Sequence, residues 1–489
     1  MTADTRGGAP GLRESNGRVR TLALVVALTF ATPLLADARW PQFRGPNASG
    51  VAEAQKPPIE FGPTKNLLWK TPVPRGQSSP CVWDDRIFLT GFENGKLLTL
   101  CIRRSDGKEL WRQIAPADRL ERGTNPNGPA TPSPVTDGAA VYVHFGSFGL
   151  LAYDFEGKEL WRKSLALGYV RHGTGTSPII AAGKLVVVCD QEGMKSFMLA
   201  VNPRTGETLW QIPRPNCFSS HTTPVHRKVE TPGGPVDELV VAGSIRLIGY
   251  DLKDGSERWS CRGLEAISIC PTPVIGEGGA IFAMSQSMGD ERLAPFDALL
   301  RDVDKNGDAR ISMGEATKIV RDVFSILDTD GDKLLSRAEW DAYYDIFRQA
   351  DSGLFAVRAP DRAGDLTATH VLWRQKRGVT EVASPLCYRG RVFVIATGGL
   401  ASCFDAATGR PIYQSKRVGA PGQYFASPVA ADGRAYVASS TGTVSVVEIG
   451  DEPKTLARND LGEGIQATPA IADNKLYVRT AGHLWAFGG

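Results

Sequence analysis

Residues 133–165 read SPVTDGAAVYVHFGSFGLLAYDFEGKELWRKSL. Short apolar runs, VYVHF, LLAYDF and ELWRKSL, are separated by the turn residues Asp137-Gly138, Gly146-Ser147 and Glu156-Gly157. Runs of this length between glycine-containing turns predict a meander of four antiparallel strands. The Ser-Pro pair that opens the stretch recurs, as Ser-Pro or Thr-Pro, at Pro80, Pro134, Pro178, Pro224, Pro273, Pro385, Pro428 and Pro469. The gaps run from 41 to 54 residues, except for 112 between Pro273 and Pro385. A four-stranded unit repeated at this period is the signature of a β-propeller. Eight markers predict eight blades, with seven as the alternative count.

The ends of the repeat agree with that reading. ATPAIADNKLYVRTAGHLWAFGG, residues 467–489, has room for three strands, whereas NLLWKTPV, residues 66–73, is a strand with no partner nearby and with Trp69 in the fourth-strand position. The N-terminal strand is therefore expected to complete the last blade, which leaves the ring without an open edge. Trp111, Trp161, Trp210, Trp259 and Trp373, with Tyr413, recur in the last strand of successive units. Large rings at one repeated position are read as packing between blades, not as a ligand-stacking set. The expected fold class is all-β: an eight-bladed propeller of four-stranded blades carrying a small α-helical insert.

Composition fits such a fold. The 53 Gly and 32 Pro among 489 residues supply many turns, and a net charge of +3 without any Lys/Arg block argues against a nucleic-acid footprint. Arg13, Arg18 and Arg20 precede TLALVVALTFATPLLA, and Ala36-Asp37-Ala38 has the small-x-small spacing of a signal-peptidase site. Residues 1–38 are read as a secretory signal peptide and the mature chain as periplasmic or extracellular. The alternative, an N-terminal anchor, is opposed by Pro33 and by a run shorter than the about 20 residues a span requires. Eight cysteines remain in the mature part, none at metal-site spacing; most sit in apolar strands, so buried free thiols are expected over disulfides.

The phrases AVNPRTGETLW (200–210), GYDLKDGSERW (249–259) and CFDAATGRPIY (403–413) resemble the A-x-D-x-x-T-G-x-x-x-W repeat of PQQ-type propellers. That group includes quinoprotein alcohol dehydrogenases and BamB-like assembly proteins. WPQFRGP (40–46) further resembles secreted, PQQ-binding-like propeller proteins of bacteria. The resemblance implies the fold; it does not decide activity, because enzymes and scaffolds share the repeat.

The long gap contains a different chemistry. DKNGDARISMGE (304–315) places Asp304, Asn306, Asp308, Arg310 and Glu315 at positions 1, 3, 5, 7 and 12 of an EF-hand loop. DTDGDKLLSRAE (328–339) places Asp328, Asp330, Asp332, Leu334 and Glu339 likewise. Ca²⁺ takes six to eight oxygens, and this spacing offers three short side chains, a backbone carbonyl, a water-bridged position (Ser312, Ser336) and a bidentate Glu. One or two Ca²⁺ ions are expected, held by residues 287–352, an insert between propeller segments 39–286 and 353–489. Phe296, Leu299, Leu300 and Val303, then Ile319, Val320, Val323, Phe324 and Leu327, then Trp340, Tyr343, Tyr344 and Phe347, recur at helical spacing and are read as the insert's own core. Loop starts only 24 residues apart require one helix to leave the first loop and enter the second. At position 6, where Gly eases a sharp turn, stand Ala309 and Lys333. A Cβ in the left-handed region costs on the order of 1 kcal/mol, which weakens a site without abolishing it.

Two functions are open at this point. One is a non-catalytic, calcium-binding scaffold that presents a propeller face to a protein or polymer partner. The other is a PQQ- and Ca²⁺-dependent oxidoreductase. Resemblance to quinoprotein dehydrogenases would imply PQQ stacked on a vicinal Cys-Cys disulfide, and the sequence has no Cys-Cys pair. PQQ is accordingly not expected, no catalytic residue is assigned, and the scaffold is preferred. Gln77, Asn127, His172, His221, Glu381, Gln423 and Gln466 precede the proline markers and are expected to converge on one propeller face, as a ligand site or as the solvated rim of a funnel.

Overall fold

The computed structural model describes residues 39–165, 167–231, 233–287 and 293–489. The signal peptide expected over residues 1–38 lies outside the described residues. Eight sheets form the blades, each of four antiparallel strands, with blade four gaining a short fifth strand, Gly364–Asp365, that lies parallel to its outer strand. In every case the first strand begins directly after the proline marker, at Cys81, Val135, Ile179, Val225, Val274, Leu386, Val429 and Ala470. First strands of adjacent blades neighbour one another, so they line the axis. The eighth blade consists of Ala470–Ala472, Lys475–Arg479 and His483–Phe487, closed by Leu67–Pro72, with Trp69 opposite Ala486 and Pro72 opposite His483.

Two side-chain devices, each repeated from blade to blade, join the blades. The first explains the repeat phrase itself. Trp69, Trp111, Trp161, Trp210 and Trp373 each donate their indole N–H to a carbonyl in the third turn of the next blade, at Arg104, Phe155, Pro203, Leu252 and Ala406, over 2.8–3.1 Å. Each ring then covers the glycine of that turn, Gly107, Gly157, Gly206, Gly255 or Gly409, where φ is between +71° and +89° and an added Cβ would come within about 3.0 Å of the indole. Trp and Gly of the phrase thus serve neighbouring blades, not one blade. Trp259 is the exception. Its ring lies over Gly249, its cross-strand neighbour, and its N–H has no acceptor. Blade five follows its third strand, Gly353–Val357, with an irregular excursion through Gly364–Asp365 in place of the short turn, so Trp259 lacks the seat its counterparts have.

The second device is a belt of hydroxyls at the Ser/Thr of each marker. The N–H of Ser79 donates to Ser133 Oγ, Ser133 to Ser177, Ser177 to Thr223, Thr223 to Thr272, Thr272 to Ser384, Ser384 to Ser427, and Ser427 to Thr468, over 2.8–3.4 Å. Seven of eight junctions are joined in this way, and Ser79 Oγ, at the seam, makes no hydrogen bond. A buried N–H left unpaired is costly, and here each blade supplies the acceptor for the one before it.

Residues 40–61 cross the axis on the strand side of this belt. Trp40 pairs with Val82 in both directions at 2.8 Å, Thr136 N–H donates to Pro41 O, Asn47 brackets His226 through both amide atoms, and Gly50 and Ala52 pair with Ala430. The free edges of the first strands in blades one, two, four and seven are satisfied by one segment, which closes the channel as a plug. All eight cysteines are free thiols, six of them buried. No helix among the described residues is long and apolar enough to cross a membrane.

Candidate metal centre and the propeller face

Between the second and third strands of blade five, Ile281–Ser285 and Gly353–Val357, the chain forms helices α1 (Phe296–Val303), α2 (Lys318–Leu327) and α3 (Arg337–Phe347). The two acidic loops join them and pair back to back, Ile311 opposite Leu335 and Ser312 opposite Leu334. Both loops fold by the same internal bonds. Asp304 Oδ1 accepts Gly307 N–H at 2.8 Å and Oδ2 accepts Ala309 N–H at 3.2 Å; Asp328 accepts Gly331 and Lys333 N–H at 2.7 and 3.1 Å. Asn306 and Asp308 repeat the pattern on Asp308 and Arg310 N–H, as do Asp330 and Asp332 on Asp332 and Leu334 N–H. Glu315 accepts the N–H and hydroxyl of Ser312, and Glu339 those of Ser336. The carboxylates of Asp328, Asp330 and Asp332 have ligand atoms within 4.8 Å of one another. Ala309 and Lys333 have φ of 59° and 69°, the left-handed conformation that position 6 demands.

This donor set fits a hard cation. The second loop would hold Ca²⁺ with Asp328, Asp330, Asp332, the Leu334 carbonyl and Glu339; the first with Asp304, Asn306, Asp308, the Arg310 carbonyl and Glu315. The Ser312 hydroxyl, its N–H and that of Lys305 hold the Glu315 carboxyl down to about 2. Burial works to raise the Glu339 carboxyl, but the Ser336 N–H and hydroxyl and the Thr329 N–H outweigh it and bring it below the usual range. Both stay ionised, and so able to ligate, throughout the neutral range. The loops are not equivalent. Glu339 sits inside α3 in a capping box with Ser336, whereas Glu315 precedes α2, which restarts at its own N-cap, Thr317. The Arg310 guanidinium also reaches across to Asp332 Oδ2 at 2.6 Å, placing a competing cation on a ligand of the second loop.

The apolar stripes do more than form an independent core. Phe296, Leu299, Val303, Val320, Phe324, Leu327, Trp340 and Tyr343 are buried together with Ile311, Leu335 and Ile346, and the cluster continues into Phe218, Ile245 and Ala266 of the ring. Tyr343 stacks on Phe218 with centroids 4.8 Å apart and planes 7° apart, and Phe347 flanks it at 6.1 Å. Phe218 lies on the loop entering blade four, so the helices dock on the face that carries the pre-proline loops. That loop is fixed from beneath by buried Arg214, paired twice with Asp190, which also accepts from Ser220. Phe218 carried no signal in the sequence beyond being an aromatic in the loop NCFSSH.

On the same face the structure brings some of the singled-out polar residues together. Gln77 Nε2 meets Gln466 Oε1 at 3.3 Å, and the His172 and His221 rings lie 6.3 Å apart. Burial draws the His221 imidazole down to about 4, and neither ring nitrogen has a partner.

With ring, plug and loops in view, the class is defined. Residues 61–167, 98–299 and 321–451 match the family model described as outer membrane protein assembly factor BamB, and the chain belongs to that family. Among solved structures, BamB from Moraxella catarrhalis is similar at 13% identity and TM-score 0.53, covering 86% of this chain and 98% of its own. The computationally designed Ika8 protein is similar at 10% identity and TM-score 0.51, over 86% of this chain and 99% of its own. None of the curated proteins matches.

Proposed function

We propose that this chain is a secreted, calcium-stiffened binding scaffold of the periplasm or cell exterior, non-catalytic, whose partner surface is the pre-proline face beside the helical insert. The observation that carries the reading is the arrangement of α3. Glu339, the twelfth residue of the second loop, and Tyr343, stacked on Phe218 of the ring, lie four residues apart on one helix and therefore on the same side. A cation that fixes Glu339 fixes the helix that leans on the blade-four loop. The EF-hand pair then acts as a strut, and Ca²⁺ sets the shape of the surface a protein or polymer partner meets. The family's description, outer membrane protein assembly factor, supplies a precedent for a propeller with an assembly role.

Calorimetric titration of the metal-stripped mature protein, first with Ca²⁺ and then with PQQ, tests this. One or two Ca²⁺ sites without PQQ heat are expected, together with a Ca²⁺-dependent rise in Tm that Glu315→Gln with Glu339→Gln removes. Unchanged Ca²⁺ affinity and Tm in that double variant would sink the strut. Ca²⁺-dependent PQQ binding with dye reduction by alcohols or sugars would replace the scaffold with a quinoprotein oxidoreductase.

A further inference from the structure

Arg310 belongs to both acidic loops. Its main chain serves the first, the N–H donating to Asp308 Oδ1 at 2.8 Å and the carbonyl standing at position 7. Its side chain serves the second, Nη1 donating to Asp332 Oδ2 at 2.6 Å. The pairing of Ile311 with Leu335 and of Ser312 with Leu334 starts at the next residue and holds the two loops in this register. The other cations nearby leave that place to Arg310. Arg337 turns away to Asp297, and among the described residues neither Lys305 nor Lys333 forms an ion pair with a loop carboxylate.

The contact matters because the loops differ in charge. The first carries three carboxylates at ligand positions, Asp304, Asp308 and Glu315, and the second carries four, Asp328, Asp330, Asp332 and Glu339. One oxygen from each of Asp328, Asp330 and Asp332 lies within 4.8 Å of the others. Like charges so close repel, and the Arg310 guanidinium is the counter-charge that the protein itself supplies. It holds Oδ2 of Asp332 while the Leu334 N–H holds Oδ1 at 2.8 Å, so both oxygens of that ligand are engaged by protein donors.

We propose that Arg310 is an internal competitor that sets the Ca²⁺ affinity of the second loop. Filling that loop requires Asp332 either to leave the guanidinium or to serve two positive charges at once, and each alternative weakens binding. Affinity in such loops follows ligand charge, so the second site fills at a higher Ca²⁺ level than its four carboxylates alone would set. The threshold at which α3 is braced against the ring is thereby written in a side chain of the other loop. This rests on the calcium reading of the two loops.

The test is calorimetric titration with Ca²⁺ in the Glu315→Gln background, which cripples the first loop and leaves the second to be read alone. Both partners of the ion pair are partly exposed. Arg310→Gln in that background is therefore expected to tighten Kd about two- to fivefold, the range an exposed pair supports. Arg310→Lys, which restores a positive charge, should return most of the gain. An unchanged or weaker Kd in Arg310→Gln overturns the competitor. A gain as large in Arg310→Lys also overturns it, since the effect would then not follow charge. So does a background without Ca²⁺ heat beside an unaltered protein that gives it, because the second loop would then hold no ion to compete with. Absence of heat in the unaltered protein and in every variant would take down the calcium reading itself and this inference with it.

Discussion

In the ring, the N–H of each marker Ser or Thr, up to the seam, is received by a neutral hydroxyl of the next blade, and the indole N–H of each repeat Trp except Trp259 by a backbone carbonyl. In the insert, the loop N–H groups are received by side chains that are carboxylates apart from the Asn306 amide, chief among them those of Asp304 and Glu315, Asp328 and Glu339. Both regions repeat one solution, yet the ring's is complete without any ion, whereas the insert's concentrates negative charge that a divalent cation would offset. The comparison teaches where each part draws its stability. The ring should answer to packing and to protons, the insert to calcium.

The hardest blow to the ring is Trp161→Ala. It removes a nearly buried indole, its bond to Pro203 O and its cover over Gly206, and the expected loss is about 3–5 kcal/mol by denaturant unfolding. The loss should be the same with Ca²⁺ or with chelator. A loss that vanished in Ca²⁺ would mean the insert supports the whole ring, and the contrast would fail.

Acid comes next. His144 is fully buried in the second strand of blade two, with only a 3.4 Å contact from Nδ1 to Thr176 O, and burial draws it to about 4. A depressed pKa means the unfolded chain takes up a proton before the folded one does. Stability is therefore full above about pH 6.5 and is lost as pH falls toward 4, by ~3 kcal/mol from this residue. Glu315, held at about 2, keeps its contribution until pH falls below its ordinary value near 4.5, at the very bottom of that window. Melting curves from pH 7 to 4 should show the decline with and without Ca²⁺, and His144→Gln should lessen it, leaving the like share that buried His221 contributes.

The smallest effect sharpens the insert's side. Ala309→Gly and Lys333→Gly relieve a left-handed Cβ and should each tighten Ca²⁺ binding by on the order of 1 kcal/mol, about fivefold in Kd. Calorimetry that found no change at either position would show that the turn already exists at no cost.

Periodicity made most of the ring readable in advance. The proline markers fall at the start of every first strand, and a last unit one strand short pointed directly to Leu67–Pro72 as its completion. The loops were readable because each oxygen-bearing position is a residue type at a fixed offset, and the positive φ at Ala309 and Lys333 followed from position alone. What the sequence concealed has no period. WPQFRGP drew notice as a resemblance, but its role as a plug rests on partners such as Val82, His226 and Ala430, one strand apiece from different blades. The Ser/Thr markers were visible while their belt was not, since each hydroxyl serves a residue between 41 and 54 positions earlier, or 112 across the insert. Docking of α3 depended on Phe218, which no helical or strand pattern marks out.

The pairing of Leu67–Pro72 with His483–Phe487 also has a temporal consequence. The first strand of the described residues finds its partner only in His483–Phe487, so blade eight cannot be assembled until synthesis has passed Phe487. Seven blades can stack as they emerge, but joining the ends requires closing a loop of some four hundred residues, a costly long-range search of the kind that slows folding. A permuted chain that begins at a turn between two blades and links the present termini would convert this last step into a local hairpin and should complete the ring sooner.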